Sequence, residues 1–185
     1  MDSLGISFEL FGSQKLVLGD WRIRFASSSD REKVIQVINS VSGERCSLQT
    51  DRYKPTIGWE KLLNGGINAT GGYLLLVVEV GVQIVGFARL IHVANNDNSC
   101  IMGNVGIVLM PDYRSKRIGT VLLKELLEFS QKLGYQVLTA DILATNTRSL
   151  RLFRRFGFVV QDEHAIYLPF LNAEMKEITV TMKIW

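Results

Sequence analysis

The run Pro111-Asp112-Tyr113-Arg114-Ser115-Lys116-Arg117-Ile118-Gly119-Thr120 stands between two segments of different period. Before it, residues 101–110 are short and mostly apolar, a strand that Pro111 stops. After it, Ile118, Val121, Leu122, Leu126, Phe129 and Leu133 recur at helical spacing, and Gly134 ends the pattern. The run therefore lies where a strand feeds a helix start. The first N–H groups of a helix have no internal partner. Together with the positive end of the helix dipole they form an anion site. Gly119, with no Cβ, lets a ligand come close to the backbone. Arg114, Lys116 and Arg117 add full positive charge. A pyrophosphate suits that arrangement, although basic residues at a helix start are often only a solvated face.

The elements that must position this run are readable from pattern. Residues 5–18 read as an N-terminal hairpin or arm turning at Gly12-Ser13, and 21–25 as a half-buried strand with alternating charge. Ser27-Ser28-Ser29-Asp30 supplies capping oxygens for a helix that runs to about Val41. A short helix over 58–63 ends at Gly65-Gly66, and 73–80 with 84–93 form a hairpin turning at Gly81. Residues 94–99 are a polar loop. Beyond the 118–133 helix come a strand over 137–142, a basic helix over 146–156 and strands over 158–168 and 178–184. The last two are joined by a loop containing Pro169 and Asn172. The order predicts an α/β fold with a mixed sheet and helices packed on it.

Composition narrows the classes. At 185 residues the chain is one ordinary domain. Its 47% hydrophobic and 21% charged residues describe a globular protein rather than a disordered one. A net charge of +3 is too small for a general nucleic-acid binder. Cys46, Cys100, His92 and His164 show no metal-binding spacing, so no metal is expected and both thiols are read as reduced. The N-terminus lacks the pattern of a signal peptide and no run is long enough to span a bilayer, which predicts a cytoplasmic protein with no membrane partner.

Three blocks decide the family reading. They are Pro-Asp-Tyr-Arg-x-x-x-Ile-Gly-Thr-x-Leu-Leu from Pro111, Gly-Tyr-x-x-Leu from Gly134, and Asn-x-x-Ser-x-x-Leu-Phe-x-x-Phe-Gly-Phe from Asn146. Together they resemble the GNAT superfamily of N-acetyltransferases, strongly over 103–160 and more loosely, through Ile84-Val85-Gly86-Phe87-Ala88, before that. The resemblance implies a mostly antiparallel sheet of about seven strands with about four helices, with acetyl-CoA as co-substrate. It also implies that backbone groups at Leu109 and Met110 hold the pantetheine arm. The backbone of Arg114, Ser115, Lys116, Arg117, Ile118, Gly119 and Thr120 would cradle the pyrophosphate, and Asn146, Ser149 and Phe153 would line the donor. One or two of Arg148, Arg151, Arg154 and Arg155 would meet nucleotide phosphates.

The chain departs from the family pattern at three positions. Arg117 replaces the first glycine of the loop, which either narrows the cradle or, the favoured reading, adds a phosphate partner. Phe153 stands where many members have a tyrosine that protonates the departing thiolate, leaving Tyr113, Tyr135 and Tyr167 as substitutes by type. Asn104 stands where a glutamate base is common, leaving His92, Glu79 and Asp141 as candidates. A lysine-like amine, with pKa about 10.4, must lose a proton before it attacks. His92 has the most suitable intrinsic pKa. The acceptor is a primary amine on a small molecule or a protein, received by residues 40–70 and 168–177, where Asp51 or Glu174 could meet a cationic group. A non-catalytic acetyl-CoA-binding regulatory module is the alternative, nucleic acid is a disfavoured partner, and a homodimer stays open.

Overall fold

Leu74-Leu75-Leu76-Val77-Val78 has no polar side, so a strand made of it must be covered on both faces. The computed structural model, which describes residues 16–18, 20–64, 67–68, 73–94 and 100–184, covers it with a helical layer on each face of one sheet. In chain order the elements are β1 (Leu16–Leu18), β2 (Trp21–Phe25), α1 (Arg31–Ser42), α2 (Ile57–Leu63), β3 (Ile67–Asn68) and β4 (Tyr73–Val80). There follow β5 (Gln83–Val93), β6 (Met102–Leu109), α3 (Ile118–Lys132), β7 (Val137–Leu143), α4 (Thr147–Arg155), β8 (Val159–Leu168) and β9 (Ala173–Lys183). The sheet order is β1-β2-β4-β5-β6-β7-β9-β8, with β3 beside β4. Among the described residues every pairing is antiparallel except β6 with β7.

On one face Val85, Val105, Leu138 and Val180 pack against Leu122, Leu126 and Phe129 of α3 and Leu150 of α4. On the other, Leu75, Val77 and Phe87 pack against Val34, Val37 and Ile38 of α1 and Leu62 and Leu63 of α2. Glycines with positive φ, Gly134 (81°) and Gly157 (92°), turn the chain out of α3 and α4 where a Cβ would be strained.

An ion-pair cluster fastens β2 to β4 and to the start of α1. Arg24 makes two bonds to Asp30, at 2.6 and 2.9 Å, and its Nε reaches Glu79 at 2.9 Å, while Arg22 holds the same Glu79 oxygen. Hydrogen bonds from Arg22, and then from Arg24, outweigh burial and hold the Glu79 carboxyl at about 2. Burial alone would raise Asp30, but the Arg24 and Ser27 bonds bring it to about 2 as well.

The elements agree with the sequence reading except at the short β3, which the pattern did not foresee, and at the C-terminus. The strand expected over 178–184 begins at Ala173, and the expected loop shrinks to a tight turn over 169–172. Of the expected N-terminal hairpin, only its last three residues and their pairing with β2 are described. Gly12-Ser13, Gly65-Gly66 and residues 95–99 lie outside the described residues. No helix among the described residues is long and apolar enough to cross a membrane.

Candidate active site

The site begins where the one parallel pair comes apart. β6 and β7 are in register at Met102↔Val137, Gly103↔Leu138 and Asn104↔Thr139, and no further. β6 continues on β5 to Leu109, and β7 continues on β9 to Leu143, so a wedge opens between them. The Met110 N–H is taken by Val85 O at 2.9 Å. In an antiparallel ladder hydrogen-bonded pairs alternate, so the backbone of Leu109 and Ile107 turns toward the wedge. The Leu109 carbonyl is occupied by Arg114 Nε at 2.8 Å, which leaves the Leu109 N–H as a donor aimed into the opening.

Below the wedge the loop from Pro111 reaches α3 through two residues in the left-handed region, Ser115 (φ 60°) and Arg117 (φ 64°). Arg117 is the N-cap of α3, and its side chain makes no capping bond. Opposite, Asn146 caps α4 by accepting the Ser149 N–H at 3.1 Å, and its amide donates to Ser47 O at 3.3 Å. Thr145 likewise donates to Cys46 O at 3.2 Å, so the segment after α1 is tied across the mouth of the wedge. Between the α3 and α4 starts lies a cavity of about 710 Å³. Arg117, Arg148, Arg151 and Arg155 line it, Gly119 and Thr120 form part of its wall, and no acidic residue is among its lining. Arginine forks at two converging helix starts make a strong anion site.

A second cavity of about 340 Å³ continues from the first, sharing Ser47, Leu48, Ile107, Val108, Asn146 and Ser149. It lies toward α1 and α2. Tyr53, Trp59 and Phe87 form an aromatic wall, Trp59 standing edge-on to Phe87 at 5.8 Å. Asp141 and Arg89 are its charged groups on the sheet side. Asp141 accepts hydrogen bonds from Asn104 Nδ2 and Thr179 Oγ1, each at 2.9 Å. Tyr53 donates its hydroxyl to Glu60 at 2.8 Å, and burial, with that bond, pushes its pKa to about 12. Behind the cavity, Glu177 of β9 receives the Gln49 amide; burial, and then the charge of Asp141, raises its carboxyl above the ordinary value.

Of the residues singled out from sequence, Leu109, Arg114, Ser115, Arg117, Gly119, Thr120, Asn146 and Ser149 line the first cavity, as do Arg148, Arg151 and Arg155. Met110, Lys116, Ile118 and Arg154 do not. Met110 packs on both cores, Lys116 lies over the Tyr113 ring, and the Ile118 side chain is buried in the core. Arg114 lines the wall, yet its guanidinium is spent on Leu109 O and on Glu44 at 2.9 Å. Phe153 is buried edge-on to Phe158 and touches the second cavity.

Among the candidate bases, Asp141 alone lines a cavity. Glu79 is clamped by its two arginines. His92 is exposed and pairs with Gly103, at the end of β6 away from Leu109. Tyr113, Tyr135 and Tyr167 line neither cavity, and nor does any residue of 168–177. Sequence reasoning missed Arg89 and Phe87, and it assigned the acceptor side to 40–70 and 168–177 without singling out Tyr53, Trp59 or Glu177 within them. The signal for Arg89 was there: a single charge inside the apolar run Ile84-Val85-Gly86-Phe87-Ala88-Arg89-Leu90-Ile91.

Comparison with known proteins agrees with this geometry. Residues 41–158 match the model of the acetyltransferase (GNAT) family. An uncharacterized N-acetyltransferase of Schizosaccharomyces pombe is 33% identical over 58 residues, 31% of this chain and 36% of that protein. An amino-acid acetyltransferase of Shewanella oneidensis is 27% identical over 161 residues, 86% of this chain and 32% of that one. The aligned part is thus about a third of the length of these curated relatives. In fold, the chain is similar to an acetyltransferase of Salmonella typhimurium solved with acetyl-CoA. That likeness has a TM-score of 0.74 at 21% identity and covers 89% of this chain and 94% of that one. With the matched model spanning most of the chain, including the parted strands and the arginine-lined loop, this protein belongs to the GNAT acetyltransferase family.

Proposed function

We propose that this protein is an N-acetyltransferase that moves the acetyl group of acetyl-CoA to a primary amine by direct attack in a ternary complex. The observation that carries the reading is the wedge between β6 and β7, which joins an arginine-lined cavity to one that holds a carboxylate. The first cavity fits coenzyme A: it is large, free of acidic lining, and bounded by the open backbone edge of Leu109 and Ile107. Acetyl-CoA supplies an acyl carbon on a good leaving group.

The rest falls to the chain's own groups. Arg117, Arg148, Arg151 and Arg155 hold phosphates. The Leu109 N–H is set to stabilise the carbonyl oxygen as charge develops on it. Asp141 receives the ammonium group and draws its proton toward the cavity. The amine lone pair then forms the C–N bond, the C–S bond breaks, and the electron pair leaves on sulfur. From an ammonium, an acetylated amine, a free thiol and one released proton result. Phe153 stands where the resemblance expects a tyrosine acid, and Tyr113, Tyr135 and Tyr167 line neither cavity, so on this reading the thiolate leaves unassisted and takes its proton from solvent. Asn104 does not leave the site without a carboxylate, because its amide is bonded to Asp141 one strand over.

Coenzyme A release across a panel of amines tests this, with Asp141→Asn as the probe. The variant should lower kcat about 100-fold for every amine the native protein accepts. An unchanged kcat would remove Asp141 from the reaction.

A further inference from the structure

Arg89 is the cation on the sheet side of the second cavity, and acetyl transfer to a simple amine leaves its presence unexplained. It sits in β5 among buried neighbours, Ala88 and Leu90, and its planar guanidinium lies over Gly106 of β6. A Cβ at Gly106 would stand 3.2 Å from Arg89 Nε and 3.4 Å from Cζ, so the missing side chain is what gives the guanidinium its bed. Its one protein hydrogen bond among the described residues is a long one, from Nη1 to Asn104 O at 3.5 Å. No carboxylate among the described residues lies within ion-pair distance of it.

A guanidinium has five N–H donors and stays charged. Burial draws its pKa below the ordinary value, and Asp141 offsets that only in part. A half-buried cation with so few partners is costly to the protein alone, and an anionic ligand group resolves that cost.

Lys54, the cavity's other cation, is paired with Asp51 at 3.3 Å, and the two charges on the sheet side are held by one residue. Asn104 accepts from Arg89 with its backbone oxygen and donates to Asp141 with its side-chain amide. A positive and a negative group on either side of a single residue match a ligand whose ammonium and carboxylate share one carbon. The aromatic wall of Tyr53, Trp59 and Phe87 faces them. At about 340 Å³ the space is at the small end of ligand pockets, which span about 300–1,000 Å³.

Building on the acetyl-transfer reading, we infer that the acceptor is a free α-amino acid with an apolar or aromatic side chain. Its carboxylate is gripped by the Arg89 fork, its amine is presented beside Asp141, and its side chain lies on Tyr53, Trp59 and Phe87. A peptide N-terminus, whose carboxylate is an amide, is a poor fit for the same fork.

The test compares leucine, methionine, phenylalanine and tryptophan with their α-carboxamides and decarboxylated amines, measuring coenzyme A release. The native protein should favour the acids by about 10–100-fold in kcat/KM, the range a paired charged hydrogen bond gives. Arg89→Gln should abolish that preference chiefly through KM. Gly106→Ala, which displaces the guanidinium without removing it, should weaken the preference and serves if the first variant folds poorly. Equal turnover of acids and amides would overturn the inference while leaving acetyl transfer intact. So would a fall in kcat shared by all amines in Arg89→Gln, which would put Arg89 at the thioester instead. If no amine is turned over, calorimetry with coenzyme A present decides. Arg89-dependent binding of the acids but not the amides upholds the carboxylate site, and its absence overturns it.

Discussion

Arg117 meets two opposed demands. Its φ of 64° is a conformation that costs an L-residue about 1–2 kcal/mol, while it also lines the arginine-rich cavity proposed to hold phosphates. Arg117→Gly should therefore stabilise the fold by about 0.5–1 kcal/mol, after allowing for the freedom glycine gains when unfolded. The same change should weaken acetyl-CoA binding several-fold. Thermal melting and equilibrium binding on one pair of samples would read both signs. A variant that is less stable, or that binds acetyl-CoA as tightly, would contradict the account of the loop. The sequence made this position legible as a departure from a glycine; the torsion that gives the departure its cost needed the structure. Arg89 was missed because one charge in an apolar strand reads as an exception until the cavity beneath it is seen. Glu79 and His92 were chosen by residue type, and type does not report that two arginines already hold Glu79 or that His92 lies at the wrong end of β5.

At the scale of elements, the cluster of Arg22, Arg24, Asp30 and Glu79 is the clearest electrostatic fastening. Both carboxyls titrate lower in the folded protein, from 4.5 to about 2 for Glu79 and from 3.8 to about 2 for Asp30. A group whose folded pKa is depressed adds stability above its unfolded pKa, and loses it as pH falls through the folded value. The contribution should thus be full at neutral pH and drain away between about pH 4.5 and 2. Glu79→Gln should be less stable by about 2 kcal/mol at pH 7, the scale of a charged hydrogen bond. In urea unfolding, the gap between the two proteins should close as pH falls toward 2. Curves that stay parallel would show that Glu79 does not hold these strands. Elements of strong period were legible: the α3 face and the two-sided β4 follow directly from spacing. The start of β9 was not, although Ala173-Glu174-Met175-Lys176-Glu177 alternates as a strand should. The nearby Pro169 and Asn172 made a loop the simpler reading, whereas they form only the turn.

At the scale of the whole molecule, the proposed function depends on a sheet that fails to stay closed. Local pattern does not encode the parting of β6 from β7, because both strands look ordinary alone. It arises because each is held by its other neighbour, β5 for β6 and β9 for β7, beyond the point where they pair. The order of elements and the basic loop were readable, and they pointed to one side of this opening. The other side was readable only in part: Asp141 was named by type and residues 40–70 by place, but Tyr53 and Trp59 meet Asp141 only when the sheet is built.

The most direct test follows an isotopic label on the acetyl group of acetyl-CoA, incubated with the protein and free apolar amino acids. The account predicts label in an N-acetyl product, with free thiol appearing in equal amount. Bound acetyl-CoA whose label never reaches an amine, or a protein that does not bind acetyl-CoA, would contradict it.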